Sequence, residues 1–152
     1  MQTSTAPVAF IDSNPRAVVP LTQGRGRLWT GRVLSGLALA FLAFDTVGKL
    51  LQIAPVIEGT TELGYPAHSV LTIGLIQLAC VLLYAVPRTA ALGAILLTGY
   101  LGGAIATHVR VDNPLFTHIL FPIYIAALVW GGLYLRDARL SVLLPSVGRS
   151  AR

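Results

Sequence analysis

Four apolar stretches, residues 33–51, 69–86, 90–107 and 115–135, follow one another along the chain, and each approaches the ~20 residues that carry a helix across a bilayer. Between the first two lies a longer polar segment, 52–67, containing Pro55, Glu58, Gly59, Glu62, Gly64 and Pro66. Loops of that length tend to be functional, so it reads as a lid or partner surface, with a plain solvated acidic loop as the alternative. The second and third stretches are parted by the Pro87–Arg88 turn. The pattern predicts an all-α transmembrane four-helix bundle spanning 28–145, preceded by an unstructured arm, 1–27, and followed by an unstructured tail, 146–152.

The first stretch is interrupted by charge. Asp45, Gly48, Lys49 and Gln52 fall at i, i+3, i+4 and i+7, a spacing that lines them along one stripe of a helix. A charge at the centre of a membrane helix costs at least ~2.5–3.5 kcal/mol, so the stripe is predicted to face the bundle interior. Asp four residues before Lys is the favourable order for an ion pair. Such a pair contributes only ~0.2–0.5 kcal/mol in an isolated helix, which does not offset burial. Two explanations stay open: an assembly pair, or a site that binds a ligand or relays protons.

Composition turns the periodicity into a compartment. Hydrophobic residues make up 55% of the 152 and charged residues 11%, against about 25% charged in a soluble domain. Mean hydropathy is +0.74. The bilayer is therefore the expected surrounding, and no room is left for a separate soluble domain. Net charge is +5, but the arginines flank the spans instead of forming a basic tract, which argues for topology signals and against nucleic acid. Arg16, Arg25, Arg27 and Arg32 precede the first span, Arg88 follows the second, and Arg136, Arg139, Arg149 and Arg152 follow the fourth. All fall on one side, which predicts an inner-membrane protein with both termini cytoplasmic. Arginines ahead of residues 33–44 also resemble a signal peptide. The apolar stretch runs on past Asp45, so an uncleaved first span is the expectation. Cys80 is the only cysteine and reads as a packing residue.

With that topology Asp45, Lys49, His68, His108, Arg110 and His118 collect at the outer end of the bundle. Asp45, Lys49, His108 and His118 are predicted to line one polar cavity there, Asp45 deepest and Arg110 near the rim, as ligand-binding or proton-relay residues. For Lys49, His68 and Arg110, snorkelling to the interface is the competing explanation. Gly99 and Gly103 form a GxxxG spacing and are predicted to seat a neighbouring helix. Pro122 removes a helical hydrogen bond and predicts a kink at His118. No HExxH, Cys/His cluster, Ser-His-Asp set, phosphate loop or dinucleotide fingerprint occurs, so no metal is expected and no catalytic residue is assigned.

The run 84–110, YAVPRTAALGAILLTGYLGGAIATHVR, the pair Leu115–Phe116, the segment 130–137, WGGLYLRD, and the LGYP element at 63–66 together resemble the DoxX-like membrane proteins of the broad DoxD/DoxX-like superfamily. The resemblance implies a small four-helix bacterial membrane protein. Some relatives are subunits of thiosulfate:quinone oxidoreductase or partner redox enzymes, and distant ones assist assembly of other membrane proteins. Most members have no assigned activity. Two functions are weighed for this chain: a membrane subunit of a quinone-linked redox system, with quinone as the cofactor and a redox enzyme as the partner, or a non-enzymatic assembly or interaction protein. Against a third, a small transporter or proton pathway, stands the lack of a broken helix pair or inverted repeat. A shared fold does not decide between them.

Overall fold

The computed structural model describes residues 24–137 and 140. It contains α1 (Arg25–Leu50), α2 (Ala54–Glu62), α3 (Ser69–Ala85), α4 (Ala90–Arg110), a π-helical turn (Leu115–Ile119) and α5 (Phe121–Arg136). The predicted tail lies outside the described residues, as does the predicted arm up to residue 23. Residues 25–27, assigned to the arm by their composition, form instead the first turn of α1.

α1 packs against α3 and α5, and α4 packs against the same two helices from the other side. Consecutive long helices are therefore neighbours in an up-and-down ring, as short connections require. α1, α4 and the Leu115–Arg136 segment are long and apolar enough to cross a membrane. α3 is apolar but has 17 residues, about 26 Å at 1.5 Å per residue, a little short of a ~30 Å hydrocarbon core. Leu37, Phe44, Leu75, Leu92, Ile95 and Ile123 point outward, exposed on the bundle surface. An apolar exterior around an apolar core is the signature of a bundle solvated by lipid, and this one is membrane-embedded.

The core is concentrated at one end. Ala38 and Leu42 of α1, Val81 and Tyr84 of α3, Ala94 and Leu97 of α4, and Val129 and Leu133 of α5 are buried together. Tyr84 is fully buried, and its hydroxyl donates to the Val129 carbonyl at 2.8 Å while accepting from Ser35 at 3.0 Å. That pairing lets a phenol sit inside three helices without an unsatisfied polar atom.

Close helix approach depends on single glycines. A Cβ on Gly93 would lie 2.7 Å from the Leu83 carbonyl carbon and nearer still to the Tyr84 backbone; on Gly132, 2.7 Å from Ser35 N; on Gly31, 2.8 Å from Arg136 N. The GxxxG expectation is corrected by the same measure. A Cβ on Gly99 or Gly103 meets nothing within 4 Å, so within this chain neither glycine seats a helix.

Three local departures from the sequence reading have physical causes. The 52–67 segment is not irregular: Pro55, pre-set for the first helical turn, opens α2. Gln52 does not extend the charged stripe, because α1 ends at Leu50 and Gln52 turns the chain at φ 49°. The break foreseen at Pro122 takes the form of the π turn, closed by Leu120 N–H to the Leu115 carbonyl at 2.8 Å, and α5 restarts at Phe121 with Pro122 in its first turn.

Candidate ligand cavity

Opposite the packed end the four helices diverge around a cavity of about 450 Å³. Its polar lining includes Asp45 and Lys49 from α1, Tyr100, Thr107 and His108 from α4, and Thr60 and Tyr65 from α2 and the turn after it. Phe41, Leu42, Ile73, Ile76, Phe121 and Ile125 supply apolar wall. Gly99 and Gly103 lie in the wall as well, and their missing side chains leave part of the space open.

Asp45 and Lys49 form the i,i+4 ion pair that the spacing predicts. Lys49 is the more covered side chain, 14% exposed against 34% for Asp45, so the carboxylate is the member more open to the cavity. The close fit of Lys49 against α3 is set by Gly74, whose Cβ would fall 2.8 Å from that of Lys49.

The pair does not stand alone. Gln77, fully buried on α3, donates from Nε2 to Asp45 Oδ2 at 2.7 Å and to the Leu42 carbonyl at 3.3 Å. Its Oε1 accepts the Tyr100 hydroxyl at 2.7 Å. Lys49, Asp45, Gln77 and Tyr100 therefore form one connected chain across α1, α3 and α4, which answers the desolvation of each member with a partner. Neither Gln77 nor Tyr100 is singled out by the sequence reading. The available signal was Gln77 itself, an amide inside the otherwise apolar 69–86 stretch.

The histidines divide. His108 is in the cavity wall, and Asn113 Nδ2, which can only donate, approaches its Nδ1 at 2.8 Å. The neutral ring then carries its proton on Nε2, as a donor. His118 is not among the lining residues. It packs edge-on against His108 with ring centroids 5.6 Å apart and pairs through Nδ1 with Thr117 at 2.8 Å. Among the described residues no group of three His, Cys, Asp or Glu side chains comes together to hold a metal.

Arg110 also lies outside the wall, where it acts on the cover. Its guanidinium donates to the Leu63 carbonyl at the end of α2. The next residue, Gly64, has φ +80°, and a Cβ there would meet Arg110 Nη2 at 3.2 Å, so both backbone and space call for glycine. One residue on, the Tyr65 hydroxyl reaches Thr107 Oγ1 at 2.9 Å. Because Thr107 spends its proton on the Gly103 carbonyl, Tyr65 is the donor. α2 is thus clamped over the mouth of the cavity by two contacts from the end of α4.

Fold and site together define a class: a small all-α membrane bundle, tightly packed at one end and enclosing a lidded, partly polar cavity at the other. A family model described as the DoxX-like family matches residues 33–132, which take in every helix that lines the cavity. The chain belongs to the DoxX-like family. Neither any curated protein nor any solved structure matches it.

Proposed function

We propose that this protein is a membrane subunit of a quinone-linked redox system, and that the cavity beneath α2 holds the quinone head group. The supporting observation is the combination of apolar walls with one connected polar chain, Lys49–Asp45–Gln77–Tyr100, in a space of about 450 Å³, within the ~300–1,000 Å³ usual for small-molecule pockets. The donor set fits such a ligand. Lys49 has ammonium hydrogens beyond the one given to Asp45, and His108 has Nε2–H, so both can donate to ring carbonyl oxygens. The Asp45 carboxylate and the Tyr100 oxygen can accept from ring hydroxyls. Phe41 and Phe121, in edge-to-face contact at 5.2 Å, offer apolar surface beside them. When bound, a quinone supplies a two-electron, two-proton acceptor; this chain's residues bind it, exclude water and exchange protons through Asp45, while electrons come from a partner redox protein.

The distribution of its arginines supports a bacterial inner-membrane location with both termini cytoplasmic. The test is purification in native lipid followed by extraction and identification of bound small molecules. A co-purifying quinone, lost from Gly103→Leu, which fills the cavity from the α4 wall, is the expected result. No bound quinone, together with no change in thermal stability on adding one, would overturn the proposal.

The second reading, an assembly or interaction protein, draws on Gly102, an exposed residue of α4 outside the cavity lining whose Cβ would meet nothing within 4 Å. If that face docks another membrane helix, Gly102→Leu abolishes co-purification of the partner and leaves the cavity untouched.

A further inference from the structure

At the packed end of the bundle, opposite the ligand cavity, lies a second cleft of about 420 Å³. Arg32 from α1, Arg88 from the turn before α4 and Arg136 from the end of α5 converge on it, with Asp137 as its acidic member. Leu28, Pro87 and Leu133 form apolar wall. A general preference for basic residues at one membrane face does not require three arginines from three elements to share one cleft.

Among the described residues no ion pair is formed by any of the three. Among the described residues Arg32 and Arg88 make no ion pair or hydrogen bond. Arg136 is oriented: its guanidinium lies over the Tyr84 ring, 5.0 Å from the centroid, and donates through Nη2 to the Tyr84 carbonyl at 3.4 Å. One bond uses one of its five N–H donors, which leaves others for the bidentate geometry in which arginine recognises phosphate oxygens. With Asp137 counted, the cleft carries an excess of two positive charges.

Its depth is set independently. Trp29, one residue from Leu28, is 67% exposed, and Arg27 lies over the Tyr134 ring at 5.2 Å. Indole and phenol rings beside arginines mark the level of the lipid headgroups. A basic recess between helices at that level, with apolar wall below it, matches the two halves of an anionic lipid.

We propose that this cleft is a phosphate-binding site that takes the headgroup of an anionic phospholipid, the Arg32, Arg88 and Arg136 guanidiniums holding the phosphate and the Leu28, Pro87 and Leu133 wall receiving the start of the acyl region. The test uses the full-length protein in detergent, titrated with phosphatidylglycerol, phosphatidylcholine or inorganic phosphate, with occupancy read by native mass spectrometry and stability by thermal unfolding. Phosphatidylglycerol is expected to bind about tenfold more tightly than phosphatidylcholine. Arg32→Gln with Arg88→Gln, both exposed and without a polar partner among the described residues, should abolish that preference. The charge-matched control, Arg16→Gln with Arg25→Gln, should keep it. Equal binding of the two lipids, or equal loss in both double variants, would overturn the proposal, the latter by assigning the effect to general surface charge. Inorganic phosphate stabilising the protein as well as phosphatidylglycerol does would assign the cleft to a free anion and overturn the lipid assignment.

Discussion

Gln77 binds the site together through three hydrogen bonds. Replacing it with Leu leaves the Tyr100 hydroxyl and one Asp45 contact unanswered in a desolvated setting. The expected cost is about 1–3 kcal/mol, seen as earlier thermal unfolding in lipid nanodiscs; an unchanged midpoint would show that the amide is dispensable. Asp45→Asn strands the Lys49 ammonium, so it should be more damaging than Asp45→Asn combined with Lys49→Gln. A coupling of roughly 0.5–3 kcal/mol is expected from the double-mutant cycle, and additive effects would show that the two do not act as a unit. Two glycines of α4 give a sharper contrast. Gly93→Ala drives a methyl into the α3 backbone and should cost roughly 1–3 kcal/mol, whereas Gly102→Ala meets nothing and should be neutral or up to about 1 kcal/mol stabilising.

The charged pair could be read from the chain because a carboxylate and an ammonium stand out in an apolar stretch and their spacing alone gives their relation. Gln77 showed only as an amide in an apolar stretch, with nothing to give its partners, and Tyr100 did not show at all. An uncharged polar residue in a span has no periodicity of its own, and its partner is chosen by how helices pack. The glycines teach the same lesson: GxxxG is a property of one helix, but the close approaches at Gly31, Gly74, Gly93 and Gly132 belong to pairs of helices and leave no motif.

At the level of elements, α2 explains both the length of the 52–67 segment and the position of Arg110. Pro55 was the available sign of a helix start, masked by two further glycines, a second proline and no apolar repeat in the rest of the segment. Arg110 reads from sequence as a rim residue and in the structure ties down the lid, because its length carries the guanidinium past the wall to the Leu63 carbonyl. Arg110→Ala with Tyr65→Phe removes both clamps. Deuterium uptake over residues 54–66 should then rise while the packed halves of α3 and α4 keep their protection. Unchanged uptake would mean that α2 is held by its apolar contacts alone.

For the molecule as a whole, the up-and-down order of the long helices follows from their lengths and short connections, and it was legible from the hydrophobic pattern. Orientation in the membrane is a separate question, set by arginines outside the spans. In a Cys80→Ser background, Gly24→Cys should label from the cytoplasmic side and Glu58→Cys from the opposite side. Labelling of both from one side would refute the arrangement.

The division of the bundle into a packed end and a hollow end also bears on how the protein tolerates change. Around Tyr84 the buried hydroxyls are matched and glycines admit backbone against backbone, so a substitution there is felt as lost yield of folded protein. Around the cavity, Ile73, Ile76, Gly99 and Ala104 border open space, and a change of side-chain volume there alters what fits without removing what holds the helices together. The fold is insulated from changes in the cavity. Under the proposed function, altered ligand preferences could accumulate at one end while the other keeps the chain above its stability threshold.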